Sequence, residues 1–236
     1  VRFIPVGVEH IVPLGLDHIL FVLGLFFLSV KIRPLLWQVT AFTAAHTVTL
    51  ALATLGYVTI PDEYMWIVES IIAASIVYVA VENIFTDGLN PWRPAIIFCF
   101  GLLHGLGFAS VLNAYGLPDN AVIPALLGFN IGVELGQLLC IAIAFIIVVS
   151  AIRLSEDGKA NKIAAWIYMG VAILVVPLAI VPISAMGPDA VEAYMPLLFM
   201  VAALSGLCAG SCAVERFESY RHMVAMPASI GIALIG

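Results

Sequence analysis

Charge is what this sequence has least of. Only 10% of its 236 residues are Asp, Glu, Lys or Arg, against about 25% in a soluble domain. That scarcity excludes an ordinary soluble fold. The formal charge is −6, with no basic cluster, which argues against nucleic acid and against a phosphate-binding patch. No G-x-x-x-x-G-K, H-E-x-x-H or nucleophile elbow is present, so the signatures of an ATPase, a zincin and a serine hydrolase are missing. Cysteine numbers four, at 99, 140, 208 and 212, each inside an apolar run. There they read as packing residues, not as a disulfide framework. There is no low-complexity segment and no cleavable signal pattern ahead of the first apolar run.

Apolar residues fill the space left by charge. They make up 63% of the chain, and mean hydropathy is +1.14. The runs are long and do not alternate, which predicts a polytopic bundle of transmembrane helices, all-α, rather than a barrel. Seven spans are expected near 11–30, 34–57, 64–85, 94–113, 121–151, 163–182 and 194–214. An eighth opens near Pro227 and stops at Gly236, short of the ~30 Å of hydrocarbon, and is expected to continue. The chain opens on Val1, so an initiator Met is expected upstream. Pro177 suggests a kink in span six.

The loops suggest an orientation. Lys31, Arg33, Arg93, Arg153, Lys159, Lys162, Arg216 and Arg221 fall in alternate loops, and the intervening loops carry no Lys or Arg. The positive-inside rule then places those loops in the cytoplasm and the N-terminus outside, in an inner membrane.

Against this background the ionisable residues within spans stand out, because they are costly in hydrocarbon and mark function by default. Span one carries His10 at its mouth, then Asp17 and His18, seven and eight residues later and so on one helix face. Span two carries His46, span three Glu69, span four His104, and span five the stripe Asn130, Glu134 and Gln137. At ~1.5 Å per residue these groups lie between the outer edge and the middle of the bilayer. Imidazoles beside carboxylates suit a borderline divalent ion such as Ni²⁺, Co²⁺ or Zn²⁺. The candidate ligands are His10, Asp17, His18, His46, Glu69, His104 and Glu134, with the carboxylates ligating directly or orienting a histidine. Glycines at 101, 105 and 107 and at 128, 132 and 136 predict close helix approach, which would bring His104 to the span-five stripe. Glu82 and Asn83 read as helix-end groups or an exit lining. Cys208 and Cys212 lie near the far end of span seven.

At these residues the chain resembles the HupE/UreJ family. The matching pieces are G-V-E-H-I with G-L-D-H-I-L-F-V-L at 7–23, F-T-A-A-H-T-V-T-L at 42–50 and V-E-S-I-I-A-A-S-I at 68–76. V-E-N at 81–83, F-G-L-L-H-G-L-G-F-A at 100–109 and F-N-I-G-V-E-L-G-Q at 129–137 complete the set. The resemblance covers roughly 7–155, setting a five-helix metal-site core (1–155) apart from C-terminal spans (156–236). It implies a nickel permease associated with hydrogenase or urease clusters. It also implies functional roles for His10 with Asp17-His18, and for a second histidine motif best matched by His104 with Glu134. The expected function is secondary transport of a divalent transition metal through an intramembrane site. The partners are the metal ion, the lipid bilayer and a homo-oligomer or larger membrane complex. A membrane-embedded zinc enzyme, with Glu69 or Glu134 as general base, is the first alternative. A metal-binding accessory subunit without transport is the second.

Overall fold

The computed structural model describes residues 3–28, 31–86, 88–108, 121–155, 161–213 and 220–236. Among these there is no strand. The described residues form nine α-helices: α1 (Phe3–Ile11), α2 (Leu16–Leu28), α3 (Ile32–Thr54), α4 (Met65–Phe85), α5 (Arg93–Gly107), α6 (Val122–Ser155), α7 (Lys162–Ser184), α8 (Pro188–Ala213) and α9 (Met226–Ile235). A 3₁₀ turn, Asp62–Tyr64, leads into α4, and a π turn, Arg221–Ala225, leads into α9.

Helix ends follow local chemistry. Pro94 occupies the first turn of α5, where its missing N–H costs nothing. Asn161 caps α7 by accepting from the Ala164 N–H at 3.0 Å. Gly187 makes the turn between α7 and α8 with φ +115°, a conformation L side chains avoid.

Among the described residues, five helices are long and apolar enough to cross a membrane, and α1 with α2 makes a sixth if the bent pair counts as one span. Two of the expected spans correspond to shorter apolar helices among the described residues. α5 is a 15-residue helix, and the rest of the expected fourth span, from 109, lies outside the described residues. The π turn and α9 together run only from Arg221 to Ile235. α7 continues unbroken through Pro177 and Pro182.

The first span is not one helix. α1 and α2 meet at 69° across residues 12–15. Pro13 has no N–H to give the carbonyl four residues back, and its ring crowds that carbonyl. Gly15 lies against the His10 carbonyl, where a Cβ would collide. His10 and His18 therefore share no helix face, contrary to the sequence expectation. The bend, not the periodicity, brings them together.

α2 is the central post. Its ten residues from His18 to Phe27 are all buried, so it is enclosed on every side. α3 packs on α5, α1 on α6, α7 on α8, and α4 on α9 and α2. Glycine stripes set two of these contacts. A Cβ on Gly101 or Gly105 would strike the carbonyl oxygens of Phe42 or His46 on α3. A Cβ on Gly7 or Gly132 would strike the carbonyls of Phe129 or Ile4 across the α1–α6 contact. Close approach was expected, but span five receives α1 by it, not the helix of His104.

Candidate metal site

Four imidazoles meet where α1, α2, α3 and α5 converge. His18 and His104 are each 2% exposed and His46 is fully buried. Ring centroids are 4.8 Å apart for His10 and His18, 5.9 Å for His18 and His46, and 5.1 Å for His18 and His104. His10, His18 and His46 each offer a ligating atom within 4.8 Å of the others. Tetrahedral nitrogen ligands on a zinc-sized ion stand about 3.3 Å apart. Side-chain shifts of about 1 Å would therefore close this group on an ion.

The second nitrogens decide what the rings can do. His18 Nδ1 lies 3.1 Å from Asp17 Oδ1, His46 Nδ1 lies 2.9 Å from Asn130 Oδ1, and His104 Nδ1 lies 2.9 Å from the Phe100 carbonyl. All three partners are acceptors. The Asn130 amide is fixed in that sense because its Nδ2 donates to the Leu126 carbonyl at 2.9 Å. Each Nδ1 therefore carries the proton, and each Nε2 presents a lone pair. The Nε2 atoms of His10, His18, His46 and His104 are buried with no hydrogen-bond partner among the described residues. Orphaned polar atoms of this kind are rare and call for an explanation. Imidazoles anchored through one nitrogen and open at the other are what a metal site requires.

The surroundings are aromatic and partly acidic. Phe42, Phe108 and Phe129 lie against the rings, with His10 and Phe108 centroids 3.8 Å apart. A cavity of about 450 Å³ is bounded by His10, Asp17, His18, Glu69 and His104. A smaller cavity, about 280 Å³, shares His10, Asp17 and Phe108 and reaches Glu9. Glu69 is exposed and stands on the α4 wall of the larger cavity.

Six of the seven expected ligands thus fall at one place. His10, Asp17, His18, Glu69 and His104 line the cavity, and His46 adjoins His10 and His18. Glu134 is elsewhere: its Oε1 accepts from the Thr40 hydroxyl at 2.7 Å. The span-five stripe faces α3, since Gln137 Oε1 accepts from Thr43 at 3.0 Å and Asn130 holds His46. The pairing of His104 with Glu134 is replaced by His46 with Asn130. Sequence reasoning did not find the Phe100 carbonyl or the phenylalanine wall. It also took Arg93 for a loop charge. Arg93 is 1% exposed, with Nη1 2.8 Å from Glu82 Oε2 and Nε donating to Gln38 Oε1 at 2.9 Å. Nothing local in the sequence signals that pairing, because its members lie on three different helices.

Fold and site define a multi-pass helical membrane protein with a buried imidazole group able to hold a metal ion. The chain belongs to the HupE/UreJ family, whose model, described as HupE / UreJ protein, matches residues 1–183. The match runs through α7, beyond the stretch where the motifs are concentrated. No curated protein and no solved structure matches the chain.

Proposed function

We propose that this protein is a secondary transporter of a divalent transition metal ion, with Ni²⁺ favoured and Co²⁺ next. The observation that carries the reading is the set of four buried, unpartnered Nε2 atoms, three of them on rings whose Nδ1 is already anchored. Neutral nitrogen donors favour these ions over Mg²⁺ or Ca²⁺, which take oxygen. In the orientation given by the basic loops, Glu9 and Asp17 collect the ion from the outer face. His10, His18, His46 and His104 then bind it, and Glu69 supplies charge from across the cavity. The sequence given holds no nucleotide-binding loop, and membrane potential, a proton gradient or a partner protein drives the movement.

Elemental analysis of purified protein tests the reading first. About one Ni, Co or Zn per chain is expected, lost from a His18→Ala, His104→Ala double variant of normal secondary structure. Wild-type protein that retains no metal after supplementation sinks the proposal. Uptake of Ni²⁺ into protein-loaded liposomes then separates a transporter from a zinc enzyme or a binding subunit.

The same geometry predicts a pH dependence. Each Nε2 must be free of a proton to bind metal, so metal and protons compete. Affinity is expected to fall as pH falls, releasing more than one-proton competition would, because several imidazoles must be deprotonated together. A pH titration of bound Co²⁺ by its visible absorption measures that slope. An affinity that does not fall on acidification, down to the pH at which the protein unfolds, would exclude histidine ligation.

A further inference from the structure

The end of the bundle remote from the histidines is fastened by one dipeptide, Glu82-Asn83, near the close of α4. Glu82 is ion-paired with Arg93 at the start of α5, and Arg93 also donates to Gln38 near the start of α3. Gln38 in turn donates to the Pro34 carbonyl at 3.0 Å. Asn83 Nδ2 donates to the Gly24 carbonyl on α2 at 2.7 Å and lies 3.2 Å from Ser229 Oγ on α9. Two adjacent residues of α4 thus hold α2, α5 and α9 directly, and α3 through Arg93. By helix rise, Gln38 lies ~12 Å below His46, and Arg93 ~16 Å below His104.

Three observations distinguish this cluster from a permanent staple. The ion pair is deeply buried, Arg93 at 1% and Glu82 at 12% exposure, and a buried pair often adds no net stability over apolar packing. It is also incompletely satisfied, since Arg93 Nη2 and Asn83 Oδ1 have no hydrogen-bond partner among the described residues. Finally, α4 is weakly embedded: 28% of its apolar stretch is buried, against 44% for α3. The same helix walls the imidazole cavity with Glu69, Ile72, Ala73 and Ile76. One rigid rod therefore has the ion site along one half and the fastening at its other end.

We propose that the Glu82–Arg93 pair is a latch that closes the bundle at the end remote from the histidines, and that α4 is the lever that opens it. The inference rests on the transport reading. An ion among the imidazoles draws the Glu69 half of α4 inward, and the Glu82 end swings away from Arg93. The ion can then leave past Ile97, buried one turn from Arg93 on the face of α5 that also carries His104. The pair parts and reforms without any covalent step.

Ile97→Cys, placed between Arg93 and His104 on the buried face of α5 in a Cys99→Ser background, reports on the opening. The rate of its labelling by a charged, membrane-impermeant thiol reagent is read from the latch side. Glu82→Gln is expected to raise that rate about tenfold or more. Exchanging the charges, with Glu82→Arg and Arg93→Glu together, is expected to return it towards the parent value. Should Glu82→Gln fail to accumulate, Arg93→Lys keeps the charge but loses the planar fork, and an intermediate rise is expected. Unchanged labelling in a folded single variant, or no recovery in the exchanged pair, overturns the latch. Metal content of the same samples is read separately. Its loss from the parent protein overturns the ion-site reading, whereas unchanged content with unchanged labelling overturns the latch alone.

Discussion

Gly132→Val is expected to abolish the folded protein, or to leave a form that binds no metal. α1 lies so close to α6 that a Cβ at residue 132 would overlap the Ile4 carbonyl, with Gly7 Cα and the Val8 nitrogen 2.9 Å away. Those are backbone atoms, so no rotamer change relieves the clash and α1 must move bodily. Overpacking typically costs 1–3 kcal/mol where side chains can yield; here about 3 kcal/mol or more is expected, because the backbone cannot. The movement also carries His10 off the imidazole group, coupling stability to binding. Gly170→Val is the control, since nothing lies within 4 Å of a Cβ there. Thermal unfolding in detergent, followed by metal content, checks both. A Gly132→Val protein with wild-type melting would show that α1 does not pack as described.

Asn130→Leu is expected to preserve the fold and weaken metal binding by about 10–100-fold, which is roughly 1.4–2.7 kcal/mol. The residue touches no ion. It holds His46 by accepting from Nδ1 at 2.9 Å, and so fixes which nitrogen is open. Leucine fills similar space but accepts nothing. The ring is then free to turn and to take the other tautomer. Competition between the protein and a chromophoric chelator for Ni²⁺ measures the loss. Asn130→Leu in a His46→Ala background should add little to the loss from His46→Ala alone, because Asn130 acts only through that ring. If the two losses instead add in full, Asn130 acts by another route.

Much of this site was legible in the sequence because hydrocarbon penalises charge so heavily. His18, His46 and His104 stand out on apolar helices, and depth counting put them at one level. Their convergence follows from the same cost. What periodicity could not supply was direction around each helix. The expectation that His10, Asp17 and His18 share a face assumed an unbroken helix, and Pro13 and Gly15 break it. The glycine stripes announced close contacts, but small residues do not name their partner, so Gly128, Gly132 and Gly136 were assigned the wrong neighbour. Glu134 shows the same gap: a carboxylate at a plausible depth turns towards Thr40. Arg93 was hidden for a different reason. A basic residue before a proline at a helix start looks like any loop charge, and only the three-dimensional fold sets Glu82 and Gln38 beside it.

The three anchored rings lean on unlike acceptors: a carboxylate behind His18, a side-chain amide behind His46, a peptide carbonyl behind His104. An ionised acceptor pushes more electron density through the ring than a neutral one. The donors are thus graded, not equivalent. On the transport reading proposed above, an ion shared among them would leave His18, the ring backed by a carboxylate, last.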